Sequence, residues 1–464
     1  MRARRARALA VCLAGARAGR AAGPPRLPGR EVRPDRTADA RGRRRAGARA
    51  RGRTAPAPDR QRRRRRRVLV RPRPGAPRRG RRAGGSLGAG AGRTHAHRRR
   101  SVGSADSAGR LDREPLTGES ERAGGRMAKL RMGLVGCGLR GVFDPQSVAK
   151  TIQGHDAAEL VAVADSDPIR AREAAEHLGL GDNYSDLAGM LRRADVEAAY
   201  VVTPNPMHAA NGIDVLEAGK HLMLVKPMGM TLEECDCVLA AHRRSGKTMM
   251  IDSQIPFGQV ARKAKDLIRA GAIGRPVTTW DVQGRGKYRS GLSEWRFGQA
   301  GGIFFETLIH TLLFHRWLFD RPAARQVWAW GEKTFFQEYA YPDVVWAHVE
   351  MEGPISSVLG ENHLMDRFFS SRVVVGTQDS LYFERSRLLL GGKTKPPEVV
   401  FETDEGPRTG LAHSIRHFVE SVQSGREPDL TGEDGRAATE IALAANRAME
   451  TGQPLALPLV QVAR

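Results

Sequence analysis

The chain has 464 residues and a formal charge of +25, a balance that on its face suits a nucleic-acid binder. Residues 1–126 carry 38 Arg, no Lys and 9 acidic residues, a net of +29, whereas the other 338 carry 38 basic and 42 acidic residues, a net of −4. The excess charge is thus confined to the first quarter, the remainder is long enough for two domains, and no apolar run approaches the roughly 18 residues of a membrane helix.

Residues 1–126 lack Phe, Tyr, Trp, Ile, Asn and Lys and are built largely from Arg, Ala, Gly and Pro. Such a composition buries too little apolar surface to offset the entropy of ordering, which predicts a disordered Arg-rich extension. Five of the missing residue types have AT-rich codons, as expected of GC-rich DNA translated upstream of a true start, and Met127 before "AKLRMGLVGCG" reads as that start. The alternative is a nucleic-acid or anionic-surface arm. The apolar run Leu9–Ala14 is short for a signal peptide. The cysteines, Cys12, Cys137, Cys235 and Cys237, match no zinc spacing, so no metal is expected and a reduced, cytoplasmic setting fits.

Residues 127–253 alternate short apolar runs with helix-like stretches, the pattern of βαβ units and a parallel, doubly wound Rossmann sheet. The first run, "LRMGLV", leads into "GCGLRG", where Gly136, Gly138 and Gly141 form G-x-G-x-x-G around Cys137, Leu139 and Arg140. Glycines there permit a tight turn, backbone approach to a pyrophosphate and close helix packing. The second run, "LVAVAD", ends in Asp165, 24 residues past Gly141. Its carboxylate is placed to bind an adenosine ribose and to repel a 2′-phosphate, which favours NAD over NADP.

The fourth strand, "EAAYVVT", runs into "TPNPMH", Thr203, Pro204, Asn205 and on to His208, at the carboxyl end where ligands of open α/β sheets sit. The same residues also make a good strand-to-helix turn. The fifth strand, "HLMLV", is followed by Lys226 and Pro227, so Lys226 projects into the same crevice. There it can hold a substrate hydroxyl and stabilise negative charge developing on oxygen. The sixth, "TMMID", closes the set.

Residues 254–464 change rhythm. An amphipathic helix, "GQVARKAKDLIRAG", precedes "SEWRFG" and then "AGGIFFETLIHTLLFHRWLF", a buried helix on which Glu306 and His310 at i and i+4 share a face among apolar neighbours. A charged pair in such company is costly without partners or work. Histidine, titrating near about 6.5, suits the role of general base toward an alcohol. The runs "ARQVWAWGEK", "VVWAHVEM", "RVVVGT" and "SLYFER" follow without helices between them and predict a mostly antiparallel sheet, an α+β second domain. Two glycine-stopped helices, "AHSIRHFVESVQSG" and "AATEIALAANRAMETG", end the chain.

Together these motifs resemble the glucose-fructose oxidoreductase/inositol dehydrogenase (Gfo/Idh/MocA) family from Met127 to about Leu459: the glycine loop, "TPNPMH" for T-P-N-x-x-H, the strand-end Lys-Pro, and "GGIFFETLIH" for G-G-x-x-x-D-x-G-x-H. The resemblance implies a Rossmann domain, a C-terminal domain whose open sheet mediates homo-oligomers, a bound nicotinamide cofactor, and oxidation or reduction of a hydroxyl-bearing carbon on a sugar, cyclitol or polyol. By the same resemblance Lys226 and His310 take the family's catalytic positions, Glu306 stands for its aspartate, and Trp295 and Arg296 line the substrate pocket. Three positions depart from the pattern: Val225 replaces the glutamate of E-K-P, Leu308 the glycine between acid and histidine, and "DSQIPFG" lacks the arginine usual after the sixth strand. Two further readings keep the scaffold, an NAD-using glycosidase or lyase and a non-catalytic sensor or partner protein.

Overall fold

The computed structural model describes residues 128–286, 298–365, 367–393, 395–406 and 409–460. The Arg-rich extension, Met127, Trp295 and Arg296 lie outside the described residues.

The first sheet contains β1 (Leu130–Val135), β2 (Ala158–Ala164), β3 (Asn183–Tyr184), β4 (Ala198–Val201), β5 (His221–Val225) and β6 (Met249–Asp252), ordered β3-β2-β1-β4-β5-β6 and paired in parallel throughout. The runs are apolar on both sides because both sides are covered: Met132, Leu134, Tyr200, Leu222 and Leu224 are buried. The crossover helices carry their own punctuation. Asp167 caps α2 (Pro168–Leu178) ahead of a first-turn proline, and Gly179 ends it in the left-handed region; Thr231 and Gly246 do the same for α5 (Leu232–Ser245). Before α2 comes α1 (Val148–Gln153), and between α2 and α5 lie α3 (Leu187–Leu191) and α4 (His208–Glu217).

After α6 (Gln259–Arg269), β7 (Pro276–Gly284) enters a second sheet with β8 (Ala324–Glu332), β9 (Val344–Met351), β10 (Ile355–Asn362), β11 (Phe369–Gly376), β12 (Ser380–Phe383), β13 (Arg387–Gly391), β14 (Glu398–Glu402) and β15 (Leu455–Ala456). Its order is β14-β13-β12-β11-β7-β10-β9-β8-β15, antiparallel except where β10 pairs with β7. Helix α7 (Ile309–Leu318) lies on the inner face, and its orientation is fixed by polar contacts rather than by apolar packing alone. Thr311 Oγ1 donates to Asp281 Oδ2 (3.0 Å), and His315 Nδ1 meets Ser357 Oγ (2.8 Å).

Two closing helices, α8 (Gly410–Ser424) and α9 (Gly432–Thr451), return to the first sheet. The Leu430 carbonyl accepts from the Ile251 amide (3.0 Å), which occupies the open edge of β6. Gly432 lets α9 approach Met249 and Leu239 so closely that a Cβ would meet the Met249 methyl at 2.2 Å.

The predicted buried helix is in two parts. A π-helical turn, Phe304–Leu308, contains Glu306, and α7 proper begins at Ile309, so Glu306 and His310 straddle a change of helical pitch. The double glycine sets the entry, with Gly301 at φ +84° and Gly302 at φ +82°. Asn205 holds the preceding Ala300 carbonyl (3.0 Å) and Asn446 holds that of Gly301 (3.0 Å), so a loop of the first sheet and a closing helix both pin this turn. Gly301→Ala imposes a left-handed conformation on a residue whose Cβ would lie 2.6 Å from the Met230 methyl. We expect a loss of about 1–3 kcal/mol, read as a lowered denaturant midpoint, together with reduced activity because the turn positions Glu306.

Candidate active site

The crevice opens where strand order reverses, between β1 and β4. The chain leaves β1 through Gly136 at φ +102°, where a Cβ would stand 2.8 Å from the Val202 carbonyl oxygen. At Gly141 a Cβ would stand 2.0 Å from the Gly136 carbonyl oxygen, so only glycine lets the π-helical turn Leu139–Phe143 close against the loop. Gly138 is the opposite case: its Cβ position meets nothing within 4 Å, which leaves backbone open to a pyrophosphate. The cradle fits a dinucleotide.

Asp165 follows β2, and its carboxylate accepts from the amides of Cys137 (2.8 Å) and Asp167 (3.0 Å) and pairs with Arg170 (3.2 Å). Lone pairs remain for ribose hydroxyls. Cys137 contributes only backbone. Its thiol turns inward to the Ala164 carbonyl, and burial, reinforced by the Asp165 charge, pushes it up to about 12. Leu139 is exposed, and Arg140 donates to the Gln146 carbonyl (3.0 Å).

In the next loop Thr203 Oγ1 accepts from Asn211 (3.1 Å), and Pro204 precedes a short 3-10 turn. Asn205, fully enclosed, reaches from the Ala300 carbonyl to Glu306 Oε2 (3.4 Å). His208 is wholly buried. Its Nδ1 meets the Pro227 carbonyl and its Nε2 the Thr203 carbonyl, both at 2.7 Å, which ties the two loops together. Burial lowers its pKa to about 4, and a neutral ring can donate to only one of those carbonyls.

Lys226 is buried at the end of β5, and its Nζ donates to the Glu306 backbone carbonyl (2.7 Å). Val225, where the resemblance led one to expect a carboxylate, packs on the core instead. The His310 side chain is partly buried, with Nδ1 2.9 Å from Ser253 Oγ. Burial holds its pKa well below the usual histidine value, helped by the positive charges of Lys226, Arg140 and Arg285. The structure therefore brings Lys226, Glu306, His310 and Asn205 to one place beside the glycine loop. Leu308 is wholly buried beneath them.

Two residues of this neighbourhood escaped sequence reasoning. Ser253 directly follows β6, so the rule that ligands gather at carboxyl ends of strands could have singled it out. Arg285 follows β7, is paired with Glu361 (2.9 Å) and Gln283 (2.9 Å), and carried no signal beyond being basic.

The ion pair between Asp165 and Arg170 gives cofactor choice a simple test. Asp165→Ser removes the charge that opposes a 2′-phosphate and frees Arg170 to meet one. We expect the ratio of kcat/KM for NAD over NADP to fall by about 10-fold or more, about 1.4 kcal/mol, in steady-state assays with both cofactors.

Known proteins bear on these observations. A model described as "Oxidoreductase family, NAD-binding Rossmann fold" matches residues 130–253, and a "GFO/IDH/MocA C-terminal domain" matches residues 261–382. The scyllo-inositol 2-dehydrogenase (NAD(+)) of Bacillus subtilis is 23% identical over 337 residues, covering 71% of this chain and 96% of that protein. An inositol 2-dehydrogenase of Salmonella typhimurium is 31% identical over 196 residues, 41% of this chain and 55% of the relative. The fold is shared with an inositol dehydrogenase homologue from Azotobacter vinelandii, solved with NADH and myo-inositol, at a TM-score of 0.64, 18% identity, 71% of this chain and 98% of the other. With glycine cradle, strand-end lysine and two matching domain models in one chain, the protein belongs to the Gfo/Idh/MocA family of NAD-dependent oxidoreductases.

Proposed function

We propose that the protein moves a hydride between NAD and a hydroxyl-bearing carbon of a cyclitol-, sugar- or polyol-like substrate, with residues 127–253 holding the cofactor and residues 254–464 completing the substrate site. The carrying observation is the junction of Lys226 and Glu306 beside His310, at the carboxyl edge of the parallel sheet. The inositol dehydrogenases among its relatives support a cyclitol-like substrate.

Bound NAD supplies the hydride acceptor. The protein's own groups do the rest. His310 takes the proton of the reacting hydroxyl, Lys226 stabilises the charge that builds on its oxygen, and the Glu306 carboxylate, steadied by Asn205, receives a neighbouring hydroxyl. A cytoplasmic setting suits the use of NAD.

A second copy of the chain would cover the outer face of the nine-stranded sheet. Trp328, Trp330 and Trp346 stand on that face, 43%, 42% and 38% exposed, and Trp330 lies directly across from Trp346 between β8 and β9. Aromatic side chains grouped this way are typical of interface cores. No helix among the described residues is long and apolar enough to cross a membrane.

Three measurements test these readings. Lys226→Ala and His310→Asn should each lower kcat for polyol oxidation by about 10²–10⁴-fold, followed by NADH absorbance, while NAD binding by calorimetry stays near wild type. Because His310 titrates well below the usual value, its basic form persists as pH drops, so kcat/KM should pass through about pH 6.5 without an acid limb. Arg285→Met removes one depressing charge and should move the acid limb, which lies below that pH, upward. Trp330→Glu should shift the species seen by size exclusion with light scattering to a smaller oligomer.

A further inference from the structure

We infer that Ser253 is a positioning residue that fixes the tautomer of His310, accepting a hydrogen bond from Nδ1–H so that Nε2 presents its lone pair to the substrate. The inference rests on the reading of His310 as proton acceptor. Its geometry is direct: Ser253 Oγ lies 2.9 Å from Nδ1, and the serine is wholly buried while the histidine is partly buried.

The choice of tautomer matters because a neutral imidazole has one N–H and one lone pair. If the serine hydroxyl donated to Nδ1, the ring hydrogen would sit on Nε2 and the ring could take no proton from a substrate hydroxyl. If Nδ1–H donates to the serine oxygen, Nε2 is the base. The charged groups whose fields act on the ring, Lys226, Arg140 and Arg285, are all cationic and offer no acceptor. A serine oxygen held against Nδ1 supplies one.

Ser253 is also held more rigidly than a loop serine would be. Its neighbour Asp252 accepts the Lys226 amide on its backbone carbonyl (3.2 Å), and its carboxylate is held by the hydroxyls of Tyr200 (2.5 Å) and Ser414. Strands β4, β5 and β6 and helix α8 thus fix the peptide from which Ser253 projects, and one dipeptide anchors both Lys226 and His310. During oxidation the substrate O–H bond breaks as Nε2–H forms, and the carbon gives its hydride to NAD as C=O forms. The ring is then an imidazolium whose Nδ1–H stays on Ser253, and the extra proton leaves from Nε2.

The test pairs ring spectroscopy with kinetics in the full-length chain. With 15N-labelled histidine, and His310→Asn to assign its signals, the wild-type ring should carry its hydrogen on Nδ1. Ser253→Ala and Ser253→Val should move it to Nε2 and lower kcat about 10- to 100-fold with little change in KM. Ser253→Thr, which has the shape of the valine variant but keeps a hydroxyl, should restore both the Nδ1–H signal and kcat. A wild-type ring protonated on Nε2, or a valine variant that keeps Nδ1–H, overturns the assignment. Wild-type turnover in His310→Asn would instead sink the general-base reading, and the ring spectra would still decide whether Ser253 holds Nδ1–H.

Discussion

The hydrogen bond from Lys226 Nζ to the Glu306 carbonyl is the contact on which the rest of the site depends. It joins the end of a parallel strand to the first turn of a helix that belongs to the other sheet. A buried ammonium is costly to desolvate, and a backbone carbonyl offsets part of that cost without neutralising the charge. A carbonyl oxygen has two lone pairs, so that of Glu306, in the π-helical turn, can accept from Lys226 beside any bond within the helix.

Accurate placement of Glu306 and His310 requires that their helix neither rotate nor slide, and the inner face of the second sheet enforces this with polar groups. Asp281, wholly buried, is bound by Arg372 (2.5 Å) and by Thr311 of α7, while His315 of the same helix meets Ser357. Apolar packing tolerates small shifts, whereas a buried ion pair with directional partners loses several kcal/mol if one partner moves away. This polar layer engages the residue directly after His310 and another five residues on, close enough to fix its register. Its role is specificity of position more than stability.

Much of this was legible in the sequence, and unevenly so. The strands of the first sheet announced themselves because a strand buried on both faces must be apolar throughout, and "LRMGLV" and "HLMLV" are. The glycine loop was readable because each glycine answers a different steric demand. Less legible were features created by contacts between distant segments. Nothing local in "DSQIPFG" says that Ser253 will meet a histidine 57 residues later, and nothing in "TPNPMH" says that His208 will bridge two carbonyls of different loops. The π-helical turn was hidden for another reason: an i, i+4 pair reads the same whether the intervening pitch is α or π.

The charge balance around His310 bears on the departure at Val225. A carboxylate at that position would lie at the strand end next to Lys226 and partly cancel its field. With valine there, Lys226, Arg140 and Arg285 act on His310 together and weaken it as a base. The same cations act on the substrate hydroxyl, and they favour its ionised form by the same electrostatics that disfavour the imidazolium. What decides proton transfer is the gap between the two, not the basicity of the histidine alone. A group of cations closer to the reacting oxygen than to the ring narrows that gap, so loss of the strand-end glutamate is compatible with catalysis as long as Lys226 remains the nearest charge to that oxygen.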